Sequence, residues 1–174
     1  MSVDTELLEA RPVPTPRSRL TADDVWRAIE KRSFGIVGYE TPKGDPRTSG
    51  VVYQAAHRRL YVAVEPDGWK ARHIAASRRV SVTVPVHRAA VLALVAPIPP
   101  ATISFHGEAF VHPAGTLQTR TLLEGLGSLL PRERLGSAAV IEIVPEGAFV
   151  TYGVGVPVRA MRDTARSRAR VPVN

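Results

Sequence analysis

The chain has 174 residues, 44% of them hydrophobic and 22% charged, with a net charge of +7 and no cysteine. A chain of this length reads as one soluble domain able to bury roughly 70% of the surface its unfolded form exposes, so it needs no metal or disulfide to fold. The missing cysteines exclude a disulfide scaffold, a thiolate nucleophile, an iron–sulfur cluster and a Cys-ligated zinc site.

Residues 1–20 contain Pro12, Pro14 and Pro16 and show no periodicity, so they read as a loosely attached arm. Asp4, Glu6 and Glu9 stand where a signal peptide would need an apolar segment, which points to a cytoplasmic protein. Thr21 is a good N-cap, with Asp24 three residues on, and Val25, Trp26 and Ile29 form an apolar stripe. A helix is expected from there to about Ser33.

The texture then changes to strands. Phe34–Glu40 is the first. Thr41-Pro42-Lys43-Gly44-Asp45-Pro46 is a turn, and Arg47–Gln54 a second strand. Ala55–Arg59 turns the chain into a third, Leu60–Glu65, giving an antiparallel meander. Pro66-Asp67-Gly68 breaks it, and Trp69–Ala76 reads as a short helix. Val80–Val86 is a further strand, and Ala89–Val95 another or its continuation. The Pro97-Ile98-Pro99-Pro100 segment must be a loop. The stretch Ala89–Ile103, broken by prolines, is too short for a membrane helix.

Ile103–His112 alternates with period two. Pro113 suits a helix start, with Leu117, Thr121, Leu122 and Leu126 as its apolar side. Ala138–Val144 and Ala148–Tyr152 are the last strands, joined by a turn at Pro145-Glu146-Gly147. Beyond Val156 the chain turns basic and polar, with little order expected. The organisation is thus an arm over 1–20, one domain over 21–155 and a basic tail over 156–174. Many short strands with tight turns argue for a barrel or sandwich, not a doubly wound sheet.

The chemistry begins with exclusions. There is no P-loop, no Gly-x-Gly-x-x-Gly and no nucleophile elbow. His106, Glu108 and His112 share one strand face. The two histidines lie ~20 Å apart on a straight strand, too far to share one ion. His73 is a candidate general base without an identified carboxylate partner, a pattern that reads as structural. Basic residues cluster at Arg58, Arg59, Lys70, Arg72, Arg78 and Arg79, and again at Arg159, Arg162, Arg166, Arg168 and Arg170. Two Trp, four Tyr and four Phe make a poor stacking platform, which argues against nucleic acid as the partner.

The informative segment is Gly68-Trp69-Lys70-Ala71-Arg72-His73-Ile74. It is a short helix entered from a glycine turn after a strand, with Lys70 in its first turn. Free backbone N–H groups and a point charge there suit a phosphate. The alternative is a surface helix with Trp69 packed as core.

Gly44–Val86 resembles the flavin-binding core of the pyridoxamine 5'-phosphate oxidase-like superfamily. The resemblance rests on four segments in order. They are Gly44-Asp45-Pro46-Arg47-Thr48-Ser49 running into Val51-Val52-Tyr53; Leu60-Tyr61-Val62-Ala63; Trp69-Lys70-Ala71-Arg72-His73-Ile74; and Arg79-Val80-Ser81-Val82-Thr83-Val84. A weaker likeness extends over Thr21–Tyr152.

It implies a mainly β fold, a six-stranded antiparallel split β-barrel of the FMN-binding type, working as a homodimer with the cofactor at the interface. Lys70, with Trp69 and Arg72 beside it, would hold the cofactor phosphate. Arg47, Thr48, Ser49, Gly50, Val51 and Val52, with Tyr61 and Val62, would flank the ring system. The implied activity is hydride transfer between FMN or a deazaflavin and a small organic substrate. The alternative is a non-catalytic protein that sequesters a flavin, haem or another planar ligand. The chain ends in Arg170-Val171-Pro172-Val173-Asn174, without the C-terminal substrate-binding block of the vitamin-pathway oxidases.

Overall fold

The computed structural model describes residues 20–86, 100–125, 136–157, 160–161 and 163–174. The expected arm before residue 20, the expected strand over 89–95, the loop over 97–99 and the helical position of Leu126 lie outside the described residues.

Helix α1 (Ala22–Glu30) opens as the sequence dictates. Thr21 Oγ1 accepts from the Asp24 N–H at 3.2 Å, and Asp24 Oδ2 accepts from the Thr21 N–H at 3.0 Å. This is a capping box with Asp in place of Glu. Val25, Trp26 and Ile29 are buried along one side.

The remaining elements are β1 (Phe34–Glu40), β2 (Pro46–Val52), β3 (Gln54–Ala56), β4 (Arg59–Val64), α2 (Trp69–Ser77) and β5 (Arg79–Val86). They continue with β6 (Ala101–His112), α3 (Leu117–Gly125), β7 (Ala139–Tyr152), α4 (Thr164–Ser167) and β8 (Arg168–Pro172). The strands form one antiparallel sheet in the order β2-β1-β5-β6-β7-β4-β3, with β8 paired to β7.

That order dictates the shape. The path begins at β2 and ends at β3, yet only Tyr53 separates these two strands in sequence. A flat sheet of seven strands would hold its edges roughly 30 Å apart at ~4.8 Å per step. A single residue cannot bridge that, so the sheet curls until its edges meet. Tyr53 fixes the seam. It is fully buried. Its hydroxyl donates to the Ile29 carbonyl at 2.9 Å, and its N–H donates to the Ser33 carbonyl at 2.8 Å.

Inside the curl, Val37, Val51, Leu60, Val82, Ile103 and Ile141 join the α1 side chains in one core. The Phe149 ring meets Trp26 edge-on at 5.5 Å and Phe105 at 5.4 Å. A smaller cluster of Tyr61, Leu123, Ala138 and Val140 lies apart from this core.

Several boundaries differ from expectation. The sheet has eight strands where six were expected. The strand expected over Arg47–Gln54 divides at Tyr53. The turn expected over Ala55–Arg59 narrows to His57 and Arg58, with φ of 51° and 57°. Two left-handed residues match the right-handed twist of the hairpin they join.

The expected turn at Pro145-Glu146-Gly147 lies inside the continuous strand β7. The β6–β7 register shifts between Ser104 and His106, and Gly147 has a φ of 67°. Gly147 therefore bends the strand as a bulge without ending it. Helix α3 begins at Leu117, later than Pro113, because Thr116 Oγ1 accepts from the Thr119 N–H at 3.1 Å. Its buried side is Thr119 and Leu123, and Leu117 is exposed. Thr119 tolerates burial because its hydroxyl donates to the Pro113 carbonyl at 2.7 Å.

The tail is more ordered than its composition suggested. β8 pairs with β7 from Ala148↔Pro172 to Tyr152↔Arg168, and Val171 and Val173 are buried.

Candidate functional site

The hairpin of β1 and β2 faces helix α2 across a pocket of about 560 Å³. Tyr39 and Arg47 are directly opposed in the hairpin register. They share the pocket with Thr41, Pro42, Lys43 and Asp45 from the turn, and with Trp69 and His73 from α2. The spacing of Trp69 and His73 is one helical turn, which puts both on the same face. The His73 ring lies 5.8 Å from Trp69, edge-on, and 6.1 Å from Tyr39. The pocket is thus walled by three rings.

Its floor is held in place before any ligand arrives. The Thr41 N–H donates to the Asp45 carbonyl and the Gly44 N–H to the Thr41 carbonyl, both at 2.9 Å. The Asp45 N–H donates to Thr41 Oγ1 at 3.1 Å. Gly44, with φ of 84°, supplies the left-handed residue this turn requires. Lys43 and Arg47 stand in no ion pair among the described residues. His73 Nδ1 is buried without a hydrogen-bond partner among them.

Lys70 lies beside this pocket in the first turn of α2. Gly68 is the N-cap, in extended conformation, and no side chain caps the helix. Lys70 is half-buried, and burial holds its ammonium below the usual lysine range. Among the described residues no carboxylate pairs with it. A partly desolvated cation beside uncapped helical N–H groups fits an anion, and a phosphate satisfies both. Trp69 is 72% exposed, so the surface helix with Trp69 packed as core is not what the chain forms. The Arg72 guanidinium rests 5.3 Å from the centre of the Trp69 ring.

The sequence-derived residues fall into three places. Arg47 and Trp69 line the pocket, with Lys70 and Arg72 adjoining on α2. Strand β2 alternates, so Arg47, Ser49 and Val51 share one face while Thr48, Gly50 and Val52 share the other. Tyr61 and Val62 also point to opposite faces. Val62 joins the main core, and Tyr61 joins Leu123 and Val140 in the smaller cluster. Tyr39, Lys43 and Asp45 were not singled out by sequence reasoning, and His73 was read as structural. They become neighbours only when the hairpin folds against a helix some 30 residues further on in the chain.

Two other features bear on function. The outward face carries Phe34, Ile36, Val52 and Val150, exposed at 49, 40, 48 and 48%. The pairings Gly50↔Ile36, Ile36↔Thr83, Thr83↔Ser104 and Ser104↔Val150 make this one continuous row across the sheet. On another face, buried Glu142 accepts from the Arg59 guanidinium and from His112 Nε2, the latter at 2.6 Å. Burial works to raise the Glu142 pKa. The hydrogen bonds from Arg59 and His112 outweigh it and leave the carboxyl below its usual range. His112 is therefore engaged by a carboxylate, and Glu108 pairs with Arg78 at 3.0 Å.

By sequence, no protein family and no curated protein matches the chain. Solved structures do. The haem storage protein HutZ of Vibrio cholerae is 11% identical, with a TM-score of 0.63 over 78% of this chain and 97% of that one. A putative pyridoxamine 5'-phosphate oxidase of Listeria innocua is 18% identical, with a TM-score of 0.54 over 72% and 93%. An F420 reductase is 18% identical, with a TM-score of 0.53 over 71% and 93%. These likenesses establish the fold: a mainly β, antiparallel split barrel of the pyridoxamine 5'-phosphate oxidase-like kind, as the sequence resemblance implied. The three matched proteins are named for different ligands and activities, and the shared fold does not choose among them. Among the described residues, no helix is long and apolar enough to cross a membrane.

Proposed function

We propose that the chain is a cytoplasmic oxidoreductase that holds FMN or a related flavin or deazaflavin and passes hydride equivalents to or from a small organic substrate. The observation that carries this reading is Lys70. A half-buried ammonium with no carboxylate partner among the described residues is an unfavourable feature in a ligand-free protein and a useful one with a phosphate bound. The cofactor supplies the redox chemistry when bound, which accounts for a site without a catalytic triad or dyad.

The chain's own residues bind and orient. Lys70 and the first-turn N–H groups of α2 hold the phosphate, with Arg72 adjoining. Residues Arg47, Thr48, Ser49, Gly50, Val51 and Val52, with Tyr61 and Val62, flank the ring. Side-chain contact comes from one face of β2, and backbone groups serve the rest. The exposed row of Phe34, Ile36, Val52 and Val150 is covered by a second copy, which completes the pocket at the interface.

Haem, or another planar ligand held without turnover, is the second reading. The HutZ likeness favours it, since that protein is named for haem storage. Absorbance spectra separate the readings. The purified chain is incubated separately with FMN, deazaflavin and haem, and free ligand is removed. Retained flavin or deazaflavin absorbance that bleaches on reduction and returns on reoxidation supports the oxidoreductase. Retention of haem alone would replace it with the binding protein.

A further inference from the structure

The pocket beside Lys70 has more recognition chemistry than a flavin mononucleotide uses. We propose that it receives the adenylate half of a flavin dinucleotide, so that the cofactor this chain selects is FAD over FMN. This rests on the reading of Lys70 as the holder of the cofactor phosphate.

Position comes first. Lys70 follows Trp69 in the first turn of α2, and His73 stands one turn beyond Trp69 on the same face. One helical turn rises ~5.4 Å. A ligand anchored at Lys70 and continuing past Trp69 therefore enters the pocket at once. FMN ends at that phosphate, whereas FAD continues with a second phosphate, a ribose and a purine.

Each part of that extension meets a matching group. The exposed Trp69 ring, with Tyr39 and His73 beside it, offers aromatic surface to a purine. Lys43 is a cation without an ion-pair partner among the described residues, available to the second phosphate. Among the described residues Asp45 is the single carboxylate of the pocket, and it accepts from a ribose hydroxyl or an exocyclic amine. The turn from Thr41 to Asp45 is already fixed by its own hydrogen bonds, so binding needs little reordering. The volume of about 560 Å³ lies within the range of ligand sites. A cofactor extended by a run of carboxylates would pair with Lys43 but leave the rings unused.

The test measures dissociation constants of the full-length chain for FAD, FMN and the deazaflavin cofactor by calorimetry. FAD is expected to bind tighter than FMN by on the order of tenfold or more, from one stacked base and one added phosphate contact. Tyr39→Leu and His73→Leu should erase that preference and leave FMN affinity unchanged. Lys43→Ala should do so in part, and its exposed position spares the fold. Lys70→Met should weaken both flavins together. Equal binding of FAD and FMN, an equal loss of both in the pocket variants, or deazaflavin binding tighter than FAD would each overturn the proposal. If the folded chain binds neither flavin, the Lys70 reading fails and the proposal with it.

Discussion

Lys70→Met separates a binding role for this residue from a structural one, because the two predict opposite signs. The side chain is half-buried, unpaired among the described residues, and its ammonium is disfavoured by desolvation. Methionine keeps the length and packing of the stem and removes the charge. In the ligand-free protein the change should be neutral or slightly stabilising, with no loss beyond ~0.5 kcal/mol.

The sign with pH follows. The folded-state pKa lies below the unfolded value, so the unfolded chain binds the proton more readily. The wild type therefore gains stability as pH rises toward the ordinary lysine value of about 10.4, and the variant lacks that gain. With cofactor the direction reverses. Losing one charge-assisted contact to phosphate costs about 1.5–3 kcal/mol, which is roughly 10- to 150-fold in affinity. Urea unfolding of the ligand-free protein and calorimetric titration with FMN and FAD measure the two effects. Undiminished affinity, or a clear loss of stability without ligand, would refute the assignment.

Three further outcomes follow from the fold. Tyr53→Phe removes the hydroxyl that donates to Ile29, but that carbonyl also accepts from the Arg32 N–H at 2.9 Å. The cost should stay near 1 kcal/mol in urea unfolding, since no carbonyl is orphaned. Glu142→Gln should destabilise at neutral pH by about 1–2 kcal/mol, a figure discounted because Arg59 is half exposed. Glu142 has a lowered pKa, so its contribution is present above the unfolded value of about 4.3. It is lost as pH falls through the folded one, and the gap between wild type and variant should close in acid. Ile36→Asp with Val150→Asp changes only outward side chains. It should halve the mass seen by analytical ultracentrifugation and leave the circular dichroism spectrum intact; an unchanged mass would remove that face from the interface.

The fold was legible because its signals are local. Thr21 with Asp24 marks a helix start without reference to anything distant, and Pro66-Asp67-Gly68 marks a strand end. What misled were residues with two local meanings. Pro145-Glu146-Gly147 has turn composition, yet a glycine at positive φ serves a bulge within one long strand equally well. Only pairing with β6 selects between them. Leu117 was expected on the apolar side of its helix, yet the buried side is Thr119 and Leu123, because the Pro113 carbonyl gives the Thr119 hydroxyl a partner. The arginine-rich tail reads as unstructured because Arg168 and Arg170 dominate its composition. Val171 and Val173 nonetheless carry the alternation that seats it against β7.

The site was legible only along the chain, and its chemistry runs across it. Lys70 could be singled out as a candidate because its cue, a basic residue in the first turn after a glycine break, is contained in three residues. The run from Arg47 to Val52 carries a ligand-binding resemblance as a block, but a pleated strand sends neighbouring side chains to opposite faces. The face that holds Arg47 meets the pocket; the face that holds Val52 meets the exposed apolar row. One strand therefore serves two surfaces, and a substitution tests one of them at a time. Lys43→Ala reports on the pocket without touching the apolar row. Ile36→Asp reports on the row without touching the pocket. If the cofactor bridges both, as an interface site requires, each change should weaken it, and the doubly changed chain should lose the sum of the two effects, because neither residue contacts the other's partners.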